Sequence, residues 1–600
     1  MRPLRRRPGP GRVKDQFRMD SRPHITGPAA ASKLARPCGA DILASALKRH
    51  GVRVVFGQSL PSALYLAASD YGISQFAYRT ENAGGAMADG YARASGRVAV
   101  VTAQNGPAAA LLAPALAEAY KASIPIVAIV QDVRRTQTDK NAFQELDHFD
   151  IFRGCAKWVR RVAEISRIED YVDMAFTAAA SGRPGPAVLL CPQDLLLERV
   201  PQDLQTGRQC ALGEHPLDRS VADPARIDDT ARLLAEAERP LVVAGGGVHL
   251  SGACEALAAL QETASLPVAT TSMGKGSVDE AHALSVGPVG YFMGKRAAAH
   301  PLRGLLAESD LVFFIGTRTN QNGTDSWQIF PKAARYIHLD VDGQEIGRNY
   351  EALRLVGDAR ATLEALNAAL AGRDLTKRRA ARAALEARIA AARNVFQAET
   401  ESLRTSDAAP IRPERLMNDL NDALTPDAIV VSDASYSPIW AANYLRSRRA
   451  GMRFLAGRGL AGLGWGLPAA IGAKVAQPER EVYCITGDGG FAHVWSELET
   501  AKRMGVAVTV IVLNNQILGY QWHAEDVMYG DHTDACQLQP VDHAAIARAC
   551  GCEGVRVEAA GDFKPALESA RRSNVTSVID VIVDPKAYPP ITLYDGKIGF

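Results

Sequence analysis

The chain has 600 residues, 47% of them hydrophobic and 22% charged, with a formal net charge of +2. That length suits about three domains, the composition is globular, and the near-neutral balance gives no electrostatic reason to expect nucleic acid or a membrane as partner. No apolar run reaches the ~18 residues of a membrane span, and the 9 cysteines are scattered without a C-x-x-C pair, the usage of a reducing, cytoplasmic compartment.

Residues 1–38 are Arg/Pro-rich and poor in acids, and read as a disordered basic tail without a catalytic role. A first unit follows over 39–200. DILASALKRHGV predicts a helix with Ile42, Leu43, Ala46 and Leu47 on one face and a stop at Gly51. Tyr78 to Arg93 reads as a strand end feeding a helix of small residues, and VAVVTAQNGPAAALLAPALAEAY repeats strand, glycine turn and helix. This alternation predicts a doubly wound parallel α/β sheet. Glu81 falls where a strand ends, the zone in which such sheets bind ligands; a helix dipole alone would also favour an acid there.

A polar stretch up to about Asp223 reads as a linker, and a second α/β unit occupies 224–370. Its strands end in glycine turns and carboxylates, with Gly246, Arg318 and Asp340 placed to meet an ADP-containing ligand. Gly245-Gly246-Gly247 does not fit G-x-G-x-x-G. Residues 374–408 predict a charged amphipathic helix joining domains, and a third α/β unit fills 409–600.

The most informative stretch runs from Ile485 to Tyr520. A strand ends at Gly487-Asp488-Gly489-Gly490, where the glycines suggest a tight turn with positive φ. A helix from about Val494 to Arg503 leads to the β-branched strand Val506–Leu513, which ends at Asn514-Asn515. The right-handed crossover returns both strand ends to one sheet edge, bringing Asp488 to the asparagines. A carboxylate and an amide oxygen are hard ligands suited to Mg²⁺ completed by phosphate oxygens, so the pattern predicts a metal-bridged diphosphate site.

GDG followed by NN is similar to the diphosphate signature of thiamine-diphosphate (ThDP) enzymes, and ENAGGAMADGYARASG resembles their E-x-x-A-x-x-x-A-x-G-Y-A-R segment. GRGLAGLGWGLPAAIGA resembles a third family segment. The chain is closest in style to the acetolactate synthases, and the resemblance covers roughly 39–600. It implies three doubly wound α/β domains: pyrimidine-binding, central Rossmann-like and diphosphate-binding. It also implies metal ligation by Asp488, Asn515 and the Ile517 carbonyl, and cofactor contacts from Gly487, Gly489, Gly490, Ser435 and Gly519. Leu463 would wedge the cofactor into a bent shape while Ala461 supplies a carbonyl to its amino group. Glu81 would hydrogen-bond the aminopyrimidine and act as the catalytic acid–base.

By the same resemblance, Gln58, Asn105, Gln144 and Lys157 form a substrate wall with Phe143, joined by Tyr520 and by His523, a candidate proton donor or else a surface histidine. The loops Gly57–Pro61 and Asn105–Ala108 depart from the family pattern, as do Tyr436-Ser437, Tyr520 and Ala524. The expected activity is ThDP- and Mg²⁺-dependent cleavage or formation of a carbon–carbon bond beside a carbonyl, with acetolactate synthase-like decarboxylation of a 2-oxoacid and carboligation. A 2-hydroxyacyl-CoA lyase or oxalyl-CoA decarboxylase is the alternative, and a non-catalytic regulatory subunit is the alternative of another class. The central domain is open to FAD, ADP/CoA or no ligand. A homodimer or homotetramer is implied, with active sites between subunits. The C-terminal YPPITLYDGKIGF is placed to fold over the site.

Overall fold

A computed structural model describes residues 36–204 and 207–596; the basic tail expected over 1–38 lies almost wholly outside them, as does the end of the C-terminal tail. Three six-stranded sheets follow one another, and every strand pairing within them is parallel. The first contains β1 (Val54–Phe56), β2 (Ser74–Phe76), β3 (Ala99–Ala103), β4 (Ile126–Asp132), β5 (Trp158–Arg161) and β6 (Ala187–Pro192). The central sheet contains β7 (Pro240–Ala244), β8 (Val268–Thr270), β9 (Ser285–Pro288), β10 (Leu311–Ile315), β11 (Arg335–Asp340) and β12 (Leu353–Val356). The third contains β13 (Ile429–Ser432), β14 (Arg453–Ala456), β15 (Val482–Gly487), β16 (Thr509–Asn514), β17 (Glu553–Val557) and β18 (Ser577–Ile582). Helices cover both faces of each sheet, so the middle strands β4, β10 and β16 are buried along their whole length and carry unbroken apolar or β-branched runs.

The first and third sheets share one strand order, β2-β1-β3-β4-β6-β5 and β14-β13-β15-β16-β18-β17; the central sheet runs β12-β11-β10-β7-β8-β9. In each, the order reverses direction beside the first strand, and the crevice opens at the carboxyl ends of the two strands flanking that point. These pairs are β1 and β3, β7 and β10, and β13 and β15. The glycine turns at Gly57, Gly106, Gly245, Gly316 and Gly487 each end or follow one of these strands, whereas the GRGLAGLGWG segment follows the neighbouring β14.

Two helices join the outer domains. Glu81–Ser95 and Gly466–Ala476 cross so closely that a Cβ at Gly90 would stand 2.1 Å from the Ala469 carbonyl oxygen, and one at Gly472 1.9 Å from that of Met87. One hydrophobic cluster runs through the crossing, from Phe56 and Val101 to Leu467, Cys484 and Val510. The 29-residue helix Thr376–Arg404 links the central and third domains, burying Ile389, Ala392 and Phe396 along one face. Buried Arg378 on it donates to the Ala237 and Glu238 carbonyls.

Because backbone, rather than flexible side chain, blocks a Cβ at Gly472, Gly472→Val should destabilise the joined outer domains by about 1–3 kcal/mol. A lowered midpoint in urea unfolding would register this; an unchanged midpoint would contradict the crossing.

Candidate functional site

A cavity of 570 Å³ opens at the β13/β15 crevice, lined by Ser435, Tyr436, Ala461, Leu463, Gly487, Asp488, Asn515, Ile517, Gly519 and Tyr520, with Tyr291 and Asn322 from the central domain. Asp488 begins a short helix, Asp488–Ala492, directly after β15. One of its oxygens accepts the Gln516 N–H at 2.7 Å and the other its neighbour Gly489 N–H at 3.0 Å, fixing the carboxylate against the chain that follows β16. Burial pushes this carboxyl up to about 6. Asn515 accepts the Ile517 N–H at 3.3 Å, whereas Asn514 turns away and donates to the Val541 carbonyl and the buried Asp580 carboxylate. The asparagine pair thus divides its work: the first ties β16 to β18, and the second faces the cavity.

Four expectations need correction here. The glycines of the GDGG turn do not take positive φ; Gly487 has φ −80°, and Gly489 and Gly490 are helical. Their small size is what the structure uses. A Cβ on Gly490 would meet an Asp433 carboxylate oxygen at 2.5 Å, while Gly487 presents bare backbone to open space. The left-handed conformations fall instead on Ser435 (φ 65°), Ala461 (φ 62°) and Gln516 (φ 61°), the first two lining the cavity and the third between Asn515 and Ile517. Such strain in non-glycine residues persists only where surroundings enforce it, and it collects at functional sites. The expected helix from Val494 is shorter, Glu497–Arg503.

His523, expected in the substrate wall or on the surface, does neither. It is 2% exposed, stacked on Tyr588 at 3.9 Å, and its Nδ1 lies 2.7 Å from the Tyr436 hydroxyl and its Nε2 2.9 Å from the Pro585 carbonyl. Burial lowers its pKa to about 4, so it backs Tyr436 as a neutral ring. The C-terminal segment completes this packing, since the Tyr594 hydroxyl lies 3.0 Å from that of Tyr436 and Thr592 donates its N–H to the Tyr291 carbonyl.

Glu81 is the first residue of its helix, with Thr80 as N-cap accepting from the Ala83 N–H. It is 7% exposed, and burial raises its pKa. Gln58 donates to the Arg79 carbonyl beside it. Asn105 donates to the Gln144 carbonyl, and the Gln104 and Gln144 side chains bond to each other. Gln58, Glu81, Asn105 and Gln144 therefore share the carboxyl edge of the first sheet. Lys157 does not join them. It precedes edge strand β5, which puts it at the opposite, amino edge, and it donates to the Ser181 carbonyl. No residue of the first domain lines the cavity at Asp488.

Four side chains that sequence reasoning passed over hold this site. Buried Asp433 accepts from the Gly464 and Trp465 N–H groups and from the Thr486 hydroxyl. Glu118, from the first domain, accepts from three successive N–H groups, Gly459, Leu460 and Ala461, at 2.6, 2.6 and 3.0 Å. Glu497 accepts from the Arg79 and Thr80 N–H groups that lead into Glu81. Arg458 lies between this cavity and the next one. A lone acid in the Ala/Leu-rich helix around Glu118 was a readable signal; the others carry none beyond their neighbours.

A second cavity, of 150 Å³, lies at the β7/β10 crevice and brings together Gly246, Arg318 and Asp340 with Arg183 and Ser123 of the first domain. Burial pushes Asp340 up to about 7 and lowers Arg318. Among the described residues, no cluster of three His, Cys, Asp or Glu is arranged to hold a metal ion.

Three family profiles match the chain: the N-terminal TPP binding domain of thiamine pyrophosphate enzymes over 38–151, their central domain over 227–366, and their C-terminal TPP binding domain over 433–581. A probable acetolactate synthase large subunit of Methanocaldococcus jannaschii is 33% identical over 93% of this chain and 94% of its own length. The acetolactate synthase large subunit of Parasynechococcus marenigrum is 35% identical over 91% and 87%. A sulfoacetaldehyde acetyltransferase of Castellaniella defragrans is 31% identical over 89% and 91%. Among the described residues no helix is long and apolar enough to cross a membrane.

Asp340 supplies a pH test. A carboxyl that holds its proton more tightly folded than unfolded loses stability as pH rises from its unfolded value near 4 to about 7, and the cost is then constant. Asp340→Asn keeps the acceptor used by the Asp342 N–H. In ligand-free protein it should be no more stable than the parent near pH 4 and more stable, by up to about 4 kcal/mol, above pH 7. Thermal midpoints across that range check the sign.

Proposed function

Since the chain belongs to the thiamine pyrophosphate enzyme family, we propose that it cleaves or forms a carbon–carbon bond beside a carbonyl group. On this reading it decarboxylates a 2-oxoacid and, like the acetolactate synthases it resembles, passes the remaining fragment to a second carbonyl. The carrying observation is the cavity wall where Asp488, Asn515 and Ile517 meet the bare backbone of Gly487. A side chain at Gly487 would fill that space, and a diphosphate fits it. The fixed Asp488 carboxylate, with Asn515 and the Ile517 carbonyl, would hold Mg²⁺ against such a group. Leu463, 38% exposed, presents its apolar body to the cavity for the rings of the cofactor to rest on.

Bound thiamine diphosphate supplies the nucleophilic carbon and the electron sink for the reaction. The protein supplies the proton chemistry. Glu81, desolvated and protonated more readily than a free carboxyl, is suited to share a proton with the aminopyrimidine ring nitrogen and so to act as general acid and base. It stands in the first domain, whereas the Asp488 cavity is built from the other two. We therefore read the active site as two halves donated by two copies of the chain, which makes a homodimer the minimum assembly. Retention of Glu81, Asp488 and Asn515 together argues against a purely regulatory role.

The second cavity favours an additional reading in which an ADP-bearing group, of FAD or of a CoA thioester, binds beside Arg318 and Asp340. A basic side chain, two glycine-bordered strand ends and an acid at the tip of β11 suit a phosphate and a ribose.

Glu81→Gln should keep the thermal shift given by thiamine diphosphate with Mg²⁺ yet release CO₂ from 2-oxoacids about 10²–10⁴-fold more slowly. Turnover equal to the parent's would remove the proposed proton role. Asp488→Asn should abolish the Mg²⁺-dependent part of the shift; a shift that survives EDTA in the parent would argue against metal bridging. Arg318→Ala should erase any rise in melting temperature caused by ADP or CoA, and a yellow purified protein would single out the flavin.

A further inference from the structure

Arg458 is a charge that the functional reading leaves unused. It lines both cavities, together with Tyr291 and Asn322. Its guanidinium lies over the rings of Tyr291 and Phe292, 5.8 and 5.4 Å from their centroids, and its Nε and Nη2 are buried without a hydrogen-bond partner among the described residues. A desolvated guanidinium with idle N–H groups is costly unless something satisfies it, and ring faces offset only part of that cost. The side chain is also pre-aimed. The Glu118 carboxylate grips the three N–H groups that follow it in the chain, and the two rings bracket it. Holding a donor fork still before a ligand arrives is how a site lowers the entropy cost of binding.

The charges around it say which side it serves. The central cavity has acids of its own, Asp218, Asp340, Glu345 and Asp358, but it also has two further cations, Arg183 and Arg318. The cavity at Asp488 has two acids, Asp488 and Asp584, and Arg458 is its only cation among the described lining residues. With Asp488 committed to metal and diphosphate, Arg458 remains for the molecule that reacts.

We propose that Arg458 binds a compact anionic group, a carboxylate, sulfonate or phosphate, carried by the reacting molecule away from the bond that breaks. A carboxylate lost as CO₂ gives up its charge in the transition state, so a cation paired with it would hold the reactant more tightly than the transition state and slow the step. A second anion, on the donor or on the acceptor carbonyl compound, keeps its charge throughout and gains orientation from the guanidinium fork. Arg458 is then a specificity-determining residue: it selects doubly anionic carbonyl compounds over chain-matched compounds with one carboxylate.

The inference rests on the reading of the Asp488 cavity as the cofactor site, and the experiment keeps the two apart. The full chain is loaded with thiamine diphosphate and Mg²⁺, and malonate, an unreactive dicarboxylate, is titrated while the melting temperature is followed. Malonate should raise the midpoint of the parent. Arg458→Gln should need roughly 10–100-fold more malonate for the same rise, and Arg458→Lys, which keeps the charge and loses the fork, should fall between. The shift from thiamine diphosphate itself reports on folding and loading: its absence in the parent would sink the cofactor reading, not the anion site. The proposal is overturned if malonate leaves the parent unmoved, or moves parent and Arg458→Gln alike. It is overturned as well if the substitution abolishes the response to ADP while sparing that to malonate, which would assign the guanidinium to the central cavity. Should the glutamine variant not fold, Arg458→Lys carries the comparison alone, and malonate binding equal to the parent's then counts against the proposal.

Discussion

The close crossing of the Glu81–Ser95 and Gly466–Ala476 helices is the constraint from which the remaining geometry follows. Two glycines let backbone touch backbone, at Gly90 against Ala469 and at Gly472 against Met87. The hydrophobic cluster passes through the contact without a break, so the outer domains act as one body. Arg93 strengthens the joint: it pairs with Asp89, donates to the Ala456 carbonyl and stacks on Trp465 at 4.9 Å. An arginine that is packed, bonded and stacked loses little further freedom when it acts. The crossing buries the middle and end of the Glu81 helix. Its first turn stays at the carboxyl edge of the first sheet, and the Asp488 cavity draws nothing from that edge.

Strand order then fixes where chemistry occurs. Each sheet offers one crevice at which loops diverge, and each crevice here holds a cluster that the sequence marks: Gln58 and Asn105 after β1 and β3, Gly246 and Arg318 after β7 and β10, Ser435 and Asp488 after β13 and β15. Parallel strands deliver their carboxyl ends, and with them helix N-termini and free N–H groups, to the same side. In the third domain the divergence is sharpened by left-handed residues at Ser435, Ala461 and Gln516. None is glycine, so each is held in place by what surrounds it: Asp433 beside Ser435, Glu118 at Ala461, Asp488 on the Gln516 N–H.

Local chemistry was legible in the sequence, and long-range placement was not. The Asp488–Asn515 pairing could be read because a right-handed crossover has only one way to return its strand ends, and the fold class because alternating periodicities leave few arrangements. The glycines of the GDGG turn were assigned the right positions for the wrong reason, since small size and positive φ leave the same residue in the sequence. Lys157 looked like part of a wall because its neighbours in the chain do. That β5 is an edge strand entered from the amino end is decided by pairing with β6, about thirty residues on. His523 was misread because two tyrosines from the chain terminus bury it. Glu497, fully buried, carries no local mark of its burial, because the N–H groups it binds lie more than four hundred residues away in the chain.

Glu118, Asp433 and Glu497 share a device that explains how this fold can be both strained and well defined. Each is a carboxylate buried at a junction, and each accepts from consecutive or near-consecutive backbone N–H groups instead of pairing with a cation. A peptide N–H has a fixed direction, so a carboxylate bonded to two or three of them dictates backbone conformation, which an ion pair between long side chains cannot do. Bonds to a charged acceptor are also about twice as strong as neutral ones, which helps to offset both burial and the left-handed geometry at Ala461. Two of the three act across domains: Glu118 reaches from the first domain to the turn bearing Arg458, Ala461 and Leu463, and Glu497 from the third domain to the turn before Glu81. On the proposed two-copy reading, each half-site within one chain is therefore shaped by a carboxylate from the domain that carries the other half. A shift at the domain joint moves both halves at once, so the crossing that stabilises the molecule also sets the precision of its chemistry.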